Sequence, residues 1–398
     1  MTLKNLPPLA GLTFNCNAYP TLTRGATFCR RYAAVFGCDV RMKFSRSCLI
    51  FEIVDWGKVH MRIVVIGGTG FIGGMTVRQL HQRGHQLLLF HRRPSTSFQQ
   101  ITADRSRLAE FRNEFRKFKP DIVVDTILSS ARQAETLMST FKGIAKRVVA
   151  LSSMDAYRAC GVLHRTEPGL PDTVPLTEES PLRTQPAYPP ERIPMLKNLF
   201  QWLDDEYDKV PVERVVMSDS EIRGTVLRLP MVYGPGDPLH RLFPILKRIA
   251  DGRSTIILDE NVASWRGSRG YVENVAAAIV AAVESSNAEG RIYNVAEPVA
   301  FTEKEWTKKI CDSSGWKGRI VTLATDRIPS HLRFPGNTNQ HWVADTSRIR
   351  RELRYTEMIS IDEAIGRTLE WEQTHPPAQI DPNQYDYAAE DRALAEAT

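Results

Sequence analysis

The stretch MRIVVIGGTGFIGGMTVRQLHQRGH at residues 61–85 decides the fold. RIVVIGG reads as a buried strand running into glycines, and FIGGMTVRQLHQRGH as a helix that ends near Gly84. Gly67, Gly68, Gly70 and Gly73 satisfy both GxGxxG and GxxGxxG spacing, and they sit between that strand and that helix. The first glycine permits a tight turn. Gly70 lets the backbone approach a pyrophosphate, and Gly73 allows close helix–strand packing. The helix N-terminus then faces the phosphates. The loop Gly67, Gly68, Thr69, Gly70, Phe71, Ile72 and Gly73 is therefore expected to bind a dinucleotide.

Downstream, strand and helix alternate. QLLLFHRR is a second strand, LAEFRNEFRKFKP a charged amphipathic helix, DIVVDTI a strand, AETLMSTFKG a helix and RVVALSS a strand. Such alternation predicts an α/β protein with a parallel sheet covered on both faces. The second strand ends His91, Arg92, Arg93, with no acid to hold a ribose hydroxyl. Guanidinium forks there suit a 2′-phosphate, so NADP is the expected cofactor and NAD the alternative.

Residues 164–195 interrupt the alternation with eight prolines and several carboxylates, an irregular insertion of a length uncommon unless functional or disordered. The pattern resumes in NLFQWLDDEYDKVPVERVVM and GTVLRLPMVYGPG. The organisation expected is an extension over 1–60, a mainly nucleotide-binding part over 61–235, a smaller α/β substrate-binding part over 236–375 and a peripheral polar tail over 376–398.

Charge supports that division. Eight Lys/Arg against three Asp/Glu fall in residues 1–60, so five of the six net positive charges lie there. The remainder is nearly neutral, which argues against a nucleic-acid face. Residues 1–60 show no clear periodicity and read as disordered or as no native part of the fold, with an organelle transit segment as the other reading. No apolar run reaches the length of a membrane span, and no signal-peptide core is evident. Four of the six cysteines precede His60, and no CxxC pair or Cys/His cluster occurs. A cytoplasmic protein without a metal is expected.

From Met61 to about His375 the chain resembles the extended short-chain dehydrogenases/reductases, in particular the NAD-dependent epimerase/dehydratase group with a Rossmann-type doubly wound sheet. GGTGFIG at 67–73 is similar to its nucleotide loop, and ADRSRL at 103–108 to the third-strand segment whose Asp, here Asp104, approaches adenine. LSSMDAY at 151–157 resembles its serine motif, and LRLPMVYGPGD at 227–237 its VYGPG segment. RGYVENVAAAI, RIYNVAEP and DTSRIRRELRY resemble later segments.

The resemblance implies a Ser, Tyr and Lys that carry hydride chemistry. Ser153 would bond the reacting oxygen, and Ser152 would lie beside the nicotinamide. Lys209, with Glu213 four residues on, would hold the ribose and lower a phenol's pKa. The family's YxxxK is broken: Asp205 occupies the tyrosine position, and Tyr207 stands two residues before Lys209. On a regular helix that is roughly 200° of rotation, so Tyr207 would face away unless the helix starts later. Tyr157 and Tyr188 are other phenols, without favourable spacing. Arg228 and Arg269 are the substrate-side arginines, with Trp265 and Arg266 flanking, and His164 reads as structural or solvent-facing.

The expected function is an NAD(P)-dependent epimerase, dehydratase or reductase acting on a nucleotide sugar or related hydroxyl or carbonyl compound. The alternative is a non-catalytic or RNA-binding-like member that has lost YxxxK chemistry. A third reading is an isoflavone-reductase-like enzyme on an aromatic substrate. The expected partner is a small molecule, with no nucleic acid, no membrane and a homodimer among the assembly options.

Overall fold

The computed structural model describes residues 39–45, 48–54, 60–92 and 97–397. The remaining residues of the N-terminal extension, and Arg93, lie outside the described residues. In the extension, β1 (Asp39–Ser45) pairs antiparallel with β2 (Cys48–Val54). This hairpin, unexpected from the sequence, follows a polar–apolar alternation in DVRMKFS that has the period of a strand. It belongs to a unit separate from residues 61–398.

The larger unit opens with β3 (Arg62–Ile66), helix α1 (Phe71–Gln82), β4 (Gln86–His91) and β5 (Gln99–Thr102). A 3-10 helix (Arg105–Phe111) runs into α2 (Arg112–Phe118), followed by β6 (Ile122–Asp125), α3 (Ala131–Phe141) and β7 (Arg147–Ser153). After the insertion, which carries the short helices α4 (Arg158–Leu163) and α5 (Ile193–Leu199), come α6 (Lys209–Ser218) and β8 (Arg223–Leu229). ADRSRL thus lies after the third strand rather than on it, with Asp104 capping the 3-10 helix.

Seven parallel strands form one sheet in the order β12-β8-β7-β6-β3-β4-β5, where β12 is Arg291–Asn294. The order reverses between β3 and β6, and in doubly wound sheets ligands bind at the carboxyl ends of the strands at such a point. The expected α/β doubly wound fold is present. Its two faces separate with the period of two that a strand imposes. Ile63, Val65, Leu87, Leu89 and Val149 pack with α1 on one side. Val64, Ile66, Leu88, Phe90 and Val148 pack with α3 and α6 on the other. Both faces are covered, which is why these strands read as continuous apolar runs.

The boundary expected near residue 235 is not a clean cut. The helix Val272–Glu284 packs on the face that carries α1, and β12 returns to extend the main sheet. What remains of the C-terminal part holds two-stranded parallel pairs, β9 (Met231–Tyr233) with β11 (Arg269–Tyr271) and β10 (Thr255–Asp259) with β13 (Arg319–Leu323). The segment expected to be a peripheral tail is anchored. Its helix Tyr387–Glu396 buries Glu390, which pairs with Arg248 at 2.6 Å and His331 at 3.1 Å.

Candidate active site

The glycine loop lies where the strand order reverses. Gly67 has φ of +80°, and a Cβ there would stand 2.6 Å from Thr126 Oγ1. At Gly73 a Cβ would stand 2.2 Å from the Gly67 carbonyl oxygen, so only glycine lets α1 approach the turn this closely. Gly70 is the N-cap of α1, no side chain caps that end, and no acid occupies its first turn. The helix N-terminus is left to an external anion.

A cavity of about 690 Å³ opens above this loop. Its walls include His91 and Arg92 at the end of β4, Asp104 beyond β5, Thr126 and Ile127 beyond β6, and a run of residues from Lys197 to Asp205. His91 is buried and bonds Gln100 through Nε2 at 2.9 Å, while its buried Nδ1 has no partner. Asp104 receives the Ser106 amide and hydroxyl on one oxygen, at 2.9 and 2.8 Å, which leaves its second oxygen open. These bonds and the nearby Arg92 hold the carboxyl below its usual pKa. A cradle that a Cβ would fill, an orphaned imidazole nitrogen and an uncapped helix end fit a dinucleotide.

At the other end of the site the sequence left the geometry of Tyr207 open. Helix α6 begins at Lys209, after an extended Asp208 with φ of −159° whose carboxylate caps Val210. Tyr207 therefore precedes the helix and is released from its rotation. The Lys209 ammonium lies 5.8 Å from the Tyr207 ring centroid and 5.7 Å from that of Trp202. It donates to the Leu128 and Leu151 carbonyls, the latter at 3.1 Å, tying the ends of β6 and β7 together. Burial lowers its pKa to about 8, against the attraction of Asp155 and Asp125.

Asp155 is the residue that sequence reasoning missed. It follows Ser153 by two positions in the serine motif, and its amide donates to Ser153 Oγ at 3.1 Å. It is buried and accepts the Tyr207 hydroxyl on Oδ2 at 2.7 Å, while its Oδ1 has no hydrogen-bond partner. The Arg183 guanidinium stands 4.0 Å away and pairs with Asp208 at 2.8 Å. Burial pushes the Asp155 carboxyl up. Burial and the neighbouring Asp155 also hold the Tyr207 phenol well above its usual value, so it stays protonated. An acid inside SSMDAY was the available signal. The contact with Tyr207 spans 52 positions and could not be read from it.

Three of the expected residues are engaged by partners within the protein. Ser152 does not face the cavity: its hydroxyl donates to buried Glu213 at 2.5 Å. Arg228, expected on the substrate side, is buried in a fork with Glu213 at 2.7–3.2 Å and lies 4.6 Å from the Tyr157 ring centroid. Arg269 is likewise engaged, paired with Glu303 and stacked 4.6 Å over Trp306. Tyr157 donates to Asn294 at 2.6 Å, and burial pushes its pKa up to about 12. It is architecture, as are Glu213 and Arg228, which bind α6 to β8.

Among the described residues, no group of three His, Cys, Asp or Glu is placed to hold a metal, and no helix is long and apolar enough to cross a membrane. Residues 63–296 match the model of the NAD dependent epimerase/dehydratase family. A 2′-dehydrokanamycin reductase of Streptomyces kanamyceticus is 22% identical over 302 residues, covering 72% of this chain and 75% of its own. A UDP-glucose 4-epimerase 1 of Oryza sativa subsp. japonica is 24% identical, covering 79% and 95%. Among solved structures, a dTDP-glucose 4,6-dehydratase from Bacillus anthracis in complex with NAD superposes with a TM-score of 0.58 at 15% identity. It covers 79% of this chain and 97% of that one.

Proposed function

The chain belongs to the NAD dependent epimerase/dehydratase family, and from that premise we propose that it transfers hydride between a bound nicotinamide dinucleotide and a hydroxyl or carbonyl carbon of a nucleotide sugar or related compound. The observation that carries this reading is the late start of α6, which brings the Tyr207 ring beside Lys209 although YxxxK is broken. The named substrates of the relatives, UDP-glucose, dTDP-glucose and 2′-dehydrokanamycin, support a sugar carbon as the reacting centre. The few cysteines beyond residue 60 suit the cytoplasm.

The dinucleotide, when bound, supplies the hydride acceptor or donor. Backbone amides of the glycine loop and the N-terminus of α1 would hold its pyrophosphate, and Asp104 its adenine. Arg92, with no acid at the end of β4, favours a phosphorylated ribose and hence NADP. Ser153 bonds the reacting oxygen. Tyr207 holds the proton that this oxygen needs on reduction; Asp155 orients the phenol through its hydroxyl, and the Lys209 ammonium lies beside the ring. A phenol kept protonated suits the direction from ketone to alcohol.

One observation favours the non-catalytic alternative: the hydroxyls of Ser152 and Tyr207 are both engaged by buried carboxylates. The deciding experiment offers NADPH and NADP to the protein with a panel of nucleotide sugars and their keto forms, following the absorbance of the reduced cofactor. Turnover with at least one supports the enzyme. Tight dinucleotide binding with no turnover on any member, and no isomerised product, sinks it in favour of the alternative.

A further inference from the structure

Residues 193–205 form a strap, lining the cavity from Lys197 onward, that the family resemblance does not account for. The strap is firmly held at one end. Asp204 accepts Ser130 Oγ at 2.8 Å and Arg132 at 2.7 Å, and its amide donates to Ser129 Oγ at 2.9 Å. Its other end is loose: α5 has no buried residue, and Met195 and Leu199 are 55% and 46% exposed. Between them, Lys197, Leu199, Phe200, Gln201, Trp202 and Leu203 line the cavity together with the glycine loop.

Arg92 and Lys197 are two of the cations that line this cavity. Arg92, at the end of β4, donates to Gln201 on the strap at 3.3 Å, a neutral partner that uses one of five guanidinium donors. Lys197, four residues earlier on the strap, pairs with Asp205 at 2.5 Å. That pair is 40% and 75% exposed, and exposed pairs contribute little, so the ammonium can exchange Asp205 for a stronger anion at small cost. The pyrophosphate falls to the glycine loop and α1. The ribose of the adenosine falls at the end of β4, where Arg92 and Asp104 stand.

We propose that Lys197 is a cofactor-specificity residue carried by the strap, closing with Arg92 on the 2′-phosphate of the dinucleotide. The proposal rests on the dinucleotide reading and deepens it. A planar fork from the sheet and a mobile point charge from the strap together neutralise a group that carries close to two negative charges. Binding NADPH would then draw the loose end of the strap down, while NADH would leave it as it is.

The test measures dissociation constants for NADPH and NADH by cofactor fluorescence on wild type, K197A, K197R and D205A, all at exposed positions that leave folding intact. K197A should weaken NADPH about tenfold and change NADH by less than about twofold, the size of one charge-assisted bond. K197R should stay near wild type, and D205A should bind NADPH at least as tightly. NADPH-selective protection of the Lys197 peptide bond from trypsin would agree. Equal weakening of both cofactors by K197A, or of neither, overturns the role of Lys197 while leaving the dinucleotide site standing. A wild type that binds neither cofactor overturns both.

Discussion

The glycine loop and the cluster around Tyr207 and Lys209 are built by opposite means. At the phosphate end the ligand-facing groups belong to the backbone: glycines without side chains, an uncapped helix end, and a turn made by neighbours in sequence. At the reacting end the polar groups are side chains from β7 and from the residues that lead into and start α6, and nearly all of them are tied to other protein groups. Ser152 is held by Glu213, Tyr207 by Asp155, and Lys209 by two carbonyls. The first end can be specified by spacing alone. The second depends on where an irregular segment of chain returns.

The largest expected effect tests whether Glu213 and Arg228 belong to the scaffold rather than to the substrate side. Glu213→Ala would strand Arg228 in the core and leave the Ser152 hydroxyl unpaired. Removing one partner of a buried pair costs about 3–5 kcal/mol. Chemical denaturation should register that loss in the absence of any ligand. A variant as stable as wild type would return Arg228 to the list of substrate ligands.

Next comes the reacting end itself. Tyr207→Phe should lower turnover by about 100-fold, the usual contribution of a positioned acid or base, with dinucleotide affinity unchanged. Equal turnover would remove the phenol from the chemistry and narrow the contrast between the two ends. At the phosphate end, Gly73→Ala would force a methyl group onto the Gly67 carbonyl. Overpacking of this kind costs about 1–3 kcal/mol, which should appear as up to about 100-fold weaker dinucleotide binding. Calorimetric titration reads it directly, and unchanged affinity would mean the loop is not the phosphate site.

This contrast also explains what was legible beforehand. The glycine loop, the strands and the doubly wound sheet follow from local pattern, because both faces of each strand are buried and the loop's job is done by residues within one turn. Arg228 misled because the VYGPG segment fixes its place on β8 but not its partner, which comes from α6 15 residues upstream. Tyr207 was undecidable from spacing. The rotation argument held only if α6 included it, and an Asp208 cap is a one-residue detail of the kind that decides helix starts. Asp155 stayed hidden because its partners, Tyr207 and Arg183, lie in and beyond a proline-rich segment with no period to read.

The smallest effect asks whether Lys209 is as dry as its position between β6 and β7 implies. Its pKa is lowered to about 8 in the folded protein, against 10.5 for an ordinary lysine. Between those values the unfolded chain binds more protons than the native one, so this group makes stability rise with pH across that window. Below about pH 8 both states hold the proton and the contribution is flat. One proton sets the ceiling, about 1.4 kcal/mol per pH unit. Lys209→Met keeps the length and apolar stem of the side chain but has nothing to titrate. Unfolding free energies of the two proteins should therefore diverge in favour of wild type as pH climbs from about 8 to about 10. Parallel curves would mean that water reaches the ammonium, and that the reacting end is as open as the phosphate end.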